Sequence, residues 1–110
     1  MPTARMRRVN EVVREVVGTT IGEDLHDPRI GFVTVTAVET SPDLRTAQVH
    51  FSVLGTDEQK EETLEGLQAS RKVLQKAIGT QLRMKRTPIL SFHYDDSVER
   101  AARLSRMLEE

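Results

Sequence analysis

The sequence contains no cysteine and no tryptophan, and only 4% of its residues are aromatic. Without cysteine there is no disulfide, no thiolate nucleophile and no thiolate-bound zinc. That usage fits a reducing cytosol, so a cytoplasmic location is expected. Sparse aromatics in 110 residues leave little with which to line a small-molecule pocket, so neither a small-molecule substrate nor a cofactor is expected. No apolar run approaches the ~18 residues of a membrane-spanning helix. The opening Met1-Pro-Thr-Ala-Arg-Met-Arg-Arg8 has no apolar stretch behind it that could act as a signal peptide. Glycine-rich phosphate loops, dinucleotide fingerprints and the G-x-S-x-G nucleophile turn are absent. Repeats, low-complexity tracts and linkers are missing as well. Histidines stand at 26, 50 and 93, without helical metal-ligand spacing, so no metal site is expected. Nothing here points to catalysis.

What is present suits one compact α+β domain spanning residues 1–110. The net charge of −1 hides a strong asymmetry. Asp57, Glu58, Glu61, Glu62 and Glu65 share a short segment with a single base, Lys60. Between Arg71 and Arg86 there are six bases (Arg71, Lys72, Lys76, Arg83, Lys85 and Arg86) and no acid. A second basic stretch, Arg5, Arg7, Arg8 and Arg14, faces only Glu11. Local fields decide binding to polyanions, so the total charge says little. Two solvated helix faces would explain either run alone. The acid-free segment points to an anionic partner.

Met6, Val9, Val12, Val13, Val16 and Val17 recur at helical steps, predicting a helix over about 3–23 with Arg7 and Arg14 opposite the apolar stripe. Phe32–Val38 and the alternating Ala47, Val49, Phe51 and Val53 read as two antiparallel strands around the turn Ser41-Pro42-Asp43-Leu44. Thr56 and Gln59 form a capping box for a helix whose stripe is Leu64, Leu67, Leu74, Ile78 and Leu82. Arg71 falls in that stripe, with its stem expected to be packed. The helical pattern reaches Met84; Pro88 then opens a third strand, Ile89–Tyr94. A last helix follows Asp95-Asp96-Ser97, with Val98, Ala101, Ala102, Leu104 and Leu108 as its apolar set. His50 and His93 are expected as neighbours on the wet side of the sheet. The predicted architecture places helices on one face of a three-stranded sheet.

The informative stretch is Ala69–Pro88. On a continuous helix Lys72, Lys76 and Arg83 share a face, extended by Lys85 and Arg86. Glycine inside a helix costs about 1 kcal/mol against alanine, so Ala77-Ile78-Gly79 predicts a kink or a close backbone approach. A tolerated glycine beside a chance stripe is the plain alternative. The sharper reading is two helices meeting at a kink, where small residues admit a polynucleotide backbone and the bases neutralise phosphates. Helix–glycine–helix flanked by strands is how KH domains hold single-stranded RNA.

The order α-β-β-α-α-β resembles a type II KH domain with Ala77-Ile78-Gly79 in place of its glycine loop. Together with Arg8-Val9, Asp27-Pro28-Arg29, Val33-Thr34-Val35-Thr36 and Ser41-Pro42-Asp43-Leu44, it resembles the bacterial ribosome-binding factor A family. Leu82-Arg83-Met84-Lys85-Arg86-Thr87-Pro88 and Phe92-His93-Tyr94-Asp95-Asp96-Ser97 extend the likeness over nearly the whole chain. The resemblance implies a non-enzymatic assembly factor for the immature small (30S) ribosomal subunit. Such a factor assists late maturation of 16S rRNA near its 5′ end, supports growth in the cold and acts as a monomer. It places rRNA contacts on Arg83, Lys85 and Arg86, on Arg7 and Arg8, and the kink at Gly79. Lys72, Lys76 and Arg14 join them from the charge pattern. Gln75 stands where many members carry arginine, and the long polar tail of some members has no counterpart. A module binding an acidic protein through the same stripe is the alternative.

Overall fold

The computed structural model describes residues 2–109 and has the order α1 (Ala4–Glu23), β1 (Val33–Thr40), β2 (Thr46–Val53), α2 (Asp57–Ala69), α3 (Arg71–Leu82), β3 (Ile89–Tyr94) and α4 (Ser97–Glu109). The sheet order is β1-β2-β3, with β1 antiparallel and β3 parallel to β2. The α+β reading with a three-stranded sheet is borne out. The inward residues of β2 (Ala47, Val49, Phe51, Val53) meet Leu90 and Phe92 of β3 under Val9, Val13 and Val17 of α1. Leu67, Leu74 and Ile78, all fully buried, close the same core from α2 and α3. On the other side Gln48, His50 and His93 stay at least partly wet, with the two histidine rings 5.6 Å apart in register.

Local chemistry explains the boundaries. Thr3 caps α1 and Thr56 caps α2, the latter in the expected reciprocal box with Gln59. In β1 the inward set changes from Val33 and Val35 to Val38 and Thr40, because the register shifts between Val35 and Ala37. The extra residue, Thr36, donates its hydroxyl to Asp95 Oδ2 at 2.8 Å, with His50 O within reach as a second acceptor at 3.2 Å. A bulge is what lets one strand alternate in two phases.

Three expectations need correction. The break between the two central helices lies at Ser70, not at Ala77-Ile78-Gly79, which sits inside the continuous helix α3. Ser70 turns its N–H toward both Gly66 O and Leu67 O, at 3.0 and 3.1 Å, as φ −92°, ψ 7° takes it out of the helix. The break also rotates Arg71 off the buried stripe, so its side chain is exposed. Finally, α4 buries none of its apolar set. Its Glu99, Ala102, Arg103 and Arg106 border a cleft with Asp57, Lys60 and Tyr94, leaving Val98 and Leu108 75% and 77% exposed.

Candidate nucleic-acid interface

Three segments distant in sequence meet where β2 and β3 begin. The first is the start of α1, whose apolar stripe commits it to β1 and α3 and so fixes Arg5 and Arg8 beside the end of α3. The second is the β1–β2 turn. Ser41 Oγ donates to Asp43 Oδ1 at 2.6 Å and accepts from the N–H groups of Arg45 and Thr46. Asp43 Oδ1 also accepts from Arg45 N–H. These bonds, that of Ser41 foremost, hold the Asp43 carboxyl below its ordinary range. Leu44 completes the turn with φ 59°, which drops its side chain into the core and leaves Arg45 exposed.

The third segment is the α3–β3 connection. Arg83 ends α3 in the left-handed region, φ 52°, with its N–H on Gly79 O. For a residue with a Cβ that conformation costs about 1–2 kcal/mol. The connection then folds back over the helix: a Cβ built on Gly79 would lie 3.2 Å from Thr87 Oγ1. Gly79 therefore serves a close approach by its own chain, not a kink.

Arg5, Asp43, Leu44, Arg45 and Arg83–Arg86 line an open cleft of about 540 Å³. A neighbouring cleft of about 220 Å³ shares Arg5 and Met84 with it and adds Arg8, Val9, Val12, Gln81 and Leu82. Six bases thus surround one acid, and Asp43 is already engaged in its turn. Arg45 lies 4.0 Å from Asp43, whereas Arg5, Arg8, Arg83, Lys85 and Arg86 form no ion pair among the described residues.

The residues singled out from sequence divide into three groups. Arg8, Arg83, Lys85 and Arg86 come together at the clefts. Lys72 and Lys76 are exposed on α3, on the side opposite buried Leu74 and Ile78, and their row leads toward Arg83. At 1.5 Å rise per residue Lys72 lies roughly 16 Å from Arg83 along the axis. Arg7 and Arg14 line neither cleft; Arg7 donates to Pro2 O, and Arg14 stands 4.0 Å from Glu11. Arg5 and Arg45 are not among the contacts expected from sequence, since only the fold brings them beside Arg83. Gln75 is occupied otherwise: its Nε2 donates to Pro88 O at 3.0 Å and its Oε1 accepts from Leu90 N–H at 2.6 Å.

Among the described residues no group of three or more His, Asp or Glu side chains is placed to hold a metal, and no helix is long and apolar enough to cross a membrane. The arrangement can bind extended anions: it offers unpaired guanidinium and ammonium groups that meet phosphates with charge-assisted hydrogen bonds.

The profile of the family described as ribosome-binding factor A matches residues 5–108. A crystal structure of ribosome-binding factor A from Thermus thermophilus is 26% identical, with a TM-score of 0.72 over 81% of this chain and 93% of that one. The solution structure of a Thermotoga maritima protein described as a putative ribosome-binding factor A is 32% identical, with a TM-score of 0.74 over 84% and 89% of the two chains. A homology model of the Thermus thermophilus factor, fitted into a cryo-EM map of its 30S complex, is 27% identical with a TM-score of 0.64, covering 77% of this chain and 89% of that one. On the extent of the profile match and the shared fold, this chain belongs to the ribosome-binding factor A family.

Proposed function

We propose that this chain binds the immature 30S subunit and promotes late maturation of 16S rRNA near its 5′ end, without catalysing a reaction itself. One observation carries the reading: Arg5, Arg8, Arg83, Lys85 and Arg86 gather around one pair of clefts with no ion-pair partner among the described residues. Unpaired cations crowded together repel one another, so the arrangement is electrostatically unfavourable until an anion fills it. Lys72 and Lys76 prolong the same surface along α3 and are included as outlying contacts. The Thermus relative, fitted into a 30S complex, supports the choice of partner.

Neutralising about five phosphates gives a log–log salt slope of roughly −3 to −4 on single-stranded or irregular RNA. The direct test is sedimentation of tagged protein in lysate, wild type beside Arg83→Glu/Lys85→Glu/Arg86→Glu, with the fold of each checked by circular dichroism. Wild type should travel with free small subunits, and the folded variant should stay at the top of the gradient. If both travel with the subunit, docking uses another face. If wild-type capture survives nuclease treatment as a complex with an acidic protein alone, the interaction-module reading replaces this one.

A further inference from the structure

The two non-glycine residues with left-handed backbone among those described, Leu44 and Arg83, both border the larger cleft. At Leu44 the conformation is repaid, because it sets the side chain in the core at 7% exposure. At Arg83 it is not. That position is an exposed helix C-terminus, where glycine is the usual residue. The Arg83 side chain makes no hydrogen bond or ion pair among the described residues. What the arginine does contribute is a guanidinium at the cleft rim.

The lining is also not uniformly charged. Leu44 belongs to the core and Met84 packs against that core, so the floor is apolar. The exposed Arg5, Arg45, Arg83, Lys85 and Arg86 form the rim together with Asp43, whose carboxylate is engaged in its turn. A flat basic patch holds phosphates but gives a base no apolar surface to lie on. A cationic rim over an apolar floor matches both parts of a nucleotide, and about 540 Å³ falls within the range of small-ligand sites.

We infer that this cleft seats one unstacked nucleotide of an RNA strand, its base lying on Leu44 and Met84 and its flanking phosphates on Arg5, Arg83 and Arg86. A paired base stays inside its stack and cannot reach the floor, so the ligand is a single strand, loop or bulge. The inference rests on the rRNA-binding reading above and deepens it, by assigning base contact to a surface otherwise credited only with phosphates.

The test uses the full chain with 13C-methyl-labelled methionines, of which there are four. The probes are a single-stranded adenylate octamer, an octamer of abasic ribose-phosphate units, and a blunt RNA duplex. The adenylate octamer should move the Met84 methyl upfield through the ring current of the seated base, and the other two probes should not. Covering about 60 Å² of base should make the octamer bind about tenfold more tightly than its abasic counterpart. Arg83→Gly should weaken octamer binding while raising the thermal midpoint by a few degrees, since it removes a phosphate contact and relieves the backbone. Equal affinity for the abasic strand with an unmoved Met84 methyl would overturn the inference, as would a Met84 shift with duplex. If that happens while wild type still travels with small subunits, only the nucleotide seat falls. If the Met84 shift appears but small subunits are not bound, the seat stands and the partner is wrong.

Discussion

The two ends of the parallel β2/β3 pair handle charge in opposite ways. Where the strands finish, Lys60 lies 3.5 Å from both Asp57 and Glu99 and 5.0 Å from the centre of the Tyr94 ring. Tyr94 donates its hydroxyl to Glu99 at 2.7 Å, and Arg100 pairs with Asp96 at 2.9 Å. The Tyr94 oxygen first, then Glu99 and Asp57, push the Lys60 ammonium up to about 12. Where the strands start, Arg5, Arg8, Arg83, Lys85 and Arg86 face a pair of clefts with no such partners among the described residues. Charges of the first kind are satisfied within the fold and hold α4 to the body. Those of the second kind are left for something outside. A sequence total of −1 conceals this, because it adds together groups that serve different ends.

The comparison breaks most visibly at the basic end. Arg83→Glu/Lys85→Glu/Arg86→Glu should weaken RNA binding at moderate salt by about a hundredfold or more and flatten the salt slope by about 2, while leaving the unfolding midpoint near wild type. Anisotropy titrations at several salt concentrations read both quantities. An unchanged slope would mean that these bases meet no phosphates.

The opposite split is expected at Gly66 in α2, where an added Cβ would lie 2.7 Å from Ile30 Cγ1. Gly66→Ala should cost about 1–3 kcal/mol through overpacking, seen in urea unfolding, with RNA affinity of the folded protein unchanged. A loss of affinity at full stability would place the α2 contact in the binding surface.

Lys72→Glu/Lys76→Glu sharpens the boundary of the basic end. These residues stand away from the clefts, so the variant should lose only several-fold in affinity, about what two peripheral phosphate contacts are worth. A loss as large as that of the cleft variant would move the centre of binding onto α3.

The smallest effect belongs to the paired end. Asp95 accepts from Ser97 N–H at 2.9 Å and from the Thr36 hydroxyl at 2.8 Å, and these bonds, Ser97 first, lower its carboxyl to about 2. A depressed carboxyl stabilises the fold above its ordinary value of 3.8 and loses that contribution as pH falls through about 2. The protection of amides at the start of α4, taken against their intrinsic exchange at each pH, should therefore fall between about pH 4 and pH 2. Asp95→Asn should remove that part of the titration; an identical profile would assign it to Glu99 in the first turn of α4, whose carboxyl is also lowered, first by the Tyr94 hydroxyl.

Much of this was legible because it is periodic or local. The valine stripe of α1, the alternation in β2 and the Thr56/Gln59 box each depend on residues within a few positions of one another. The helix break was not, since Leu67, Arg71 and Leu74 keep helical spacing straight through Ser70, with no proline or glycine at the break. The expected kink rests on Gly79, whose missing side chain makes room for Thr87 instead. Of the basic site, the Arg83–Arg86 run was visible as a cluster in sequence. Arg5 and Arg45 were invisible as site residues, because a turn with left-handed Leu44 and a helix packed across the sheet are what bring them to that cluster.

Gln75 has a last consequence. Strand β3 is an edge of the sheet, and an edge with free N–H and C=O groups is a template on which another chain can add a strand. The Gln75 carboxamide fills both Pro88 O and Leu90 N–H, so at the beginning of β3 one side chain stands in for the missing neighbour strand. The protein thereby blocks strand addition at the beginning of β3, the part of that edge beside the cationic cleft.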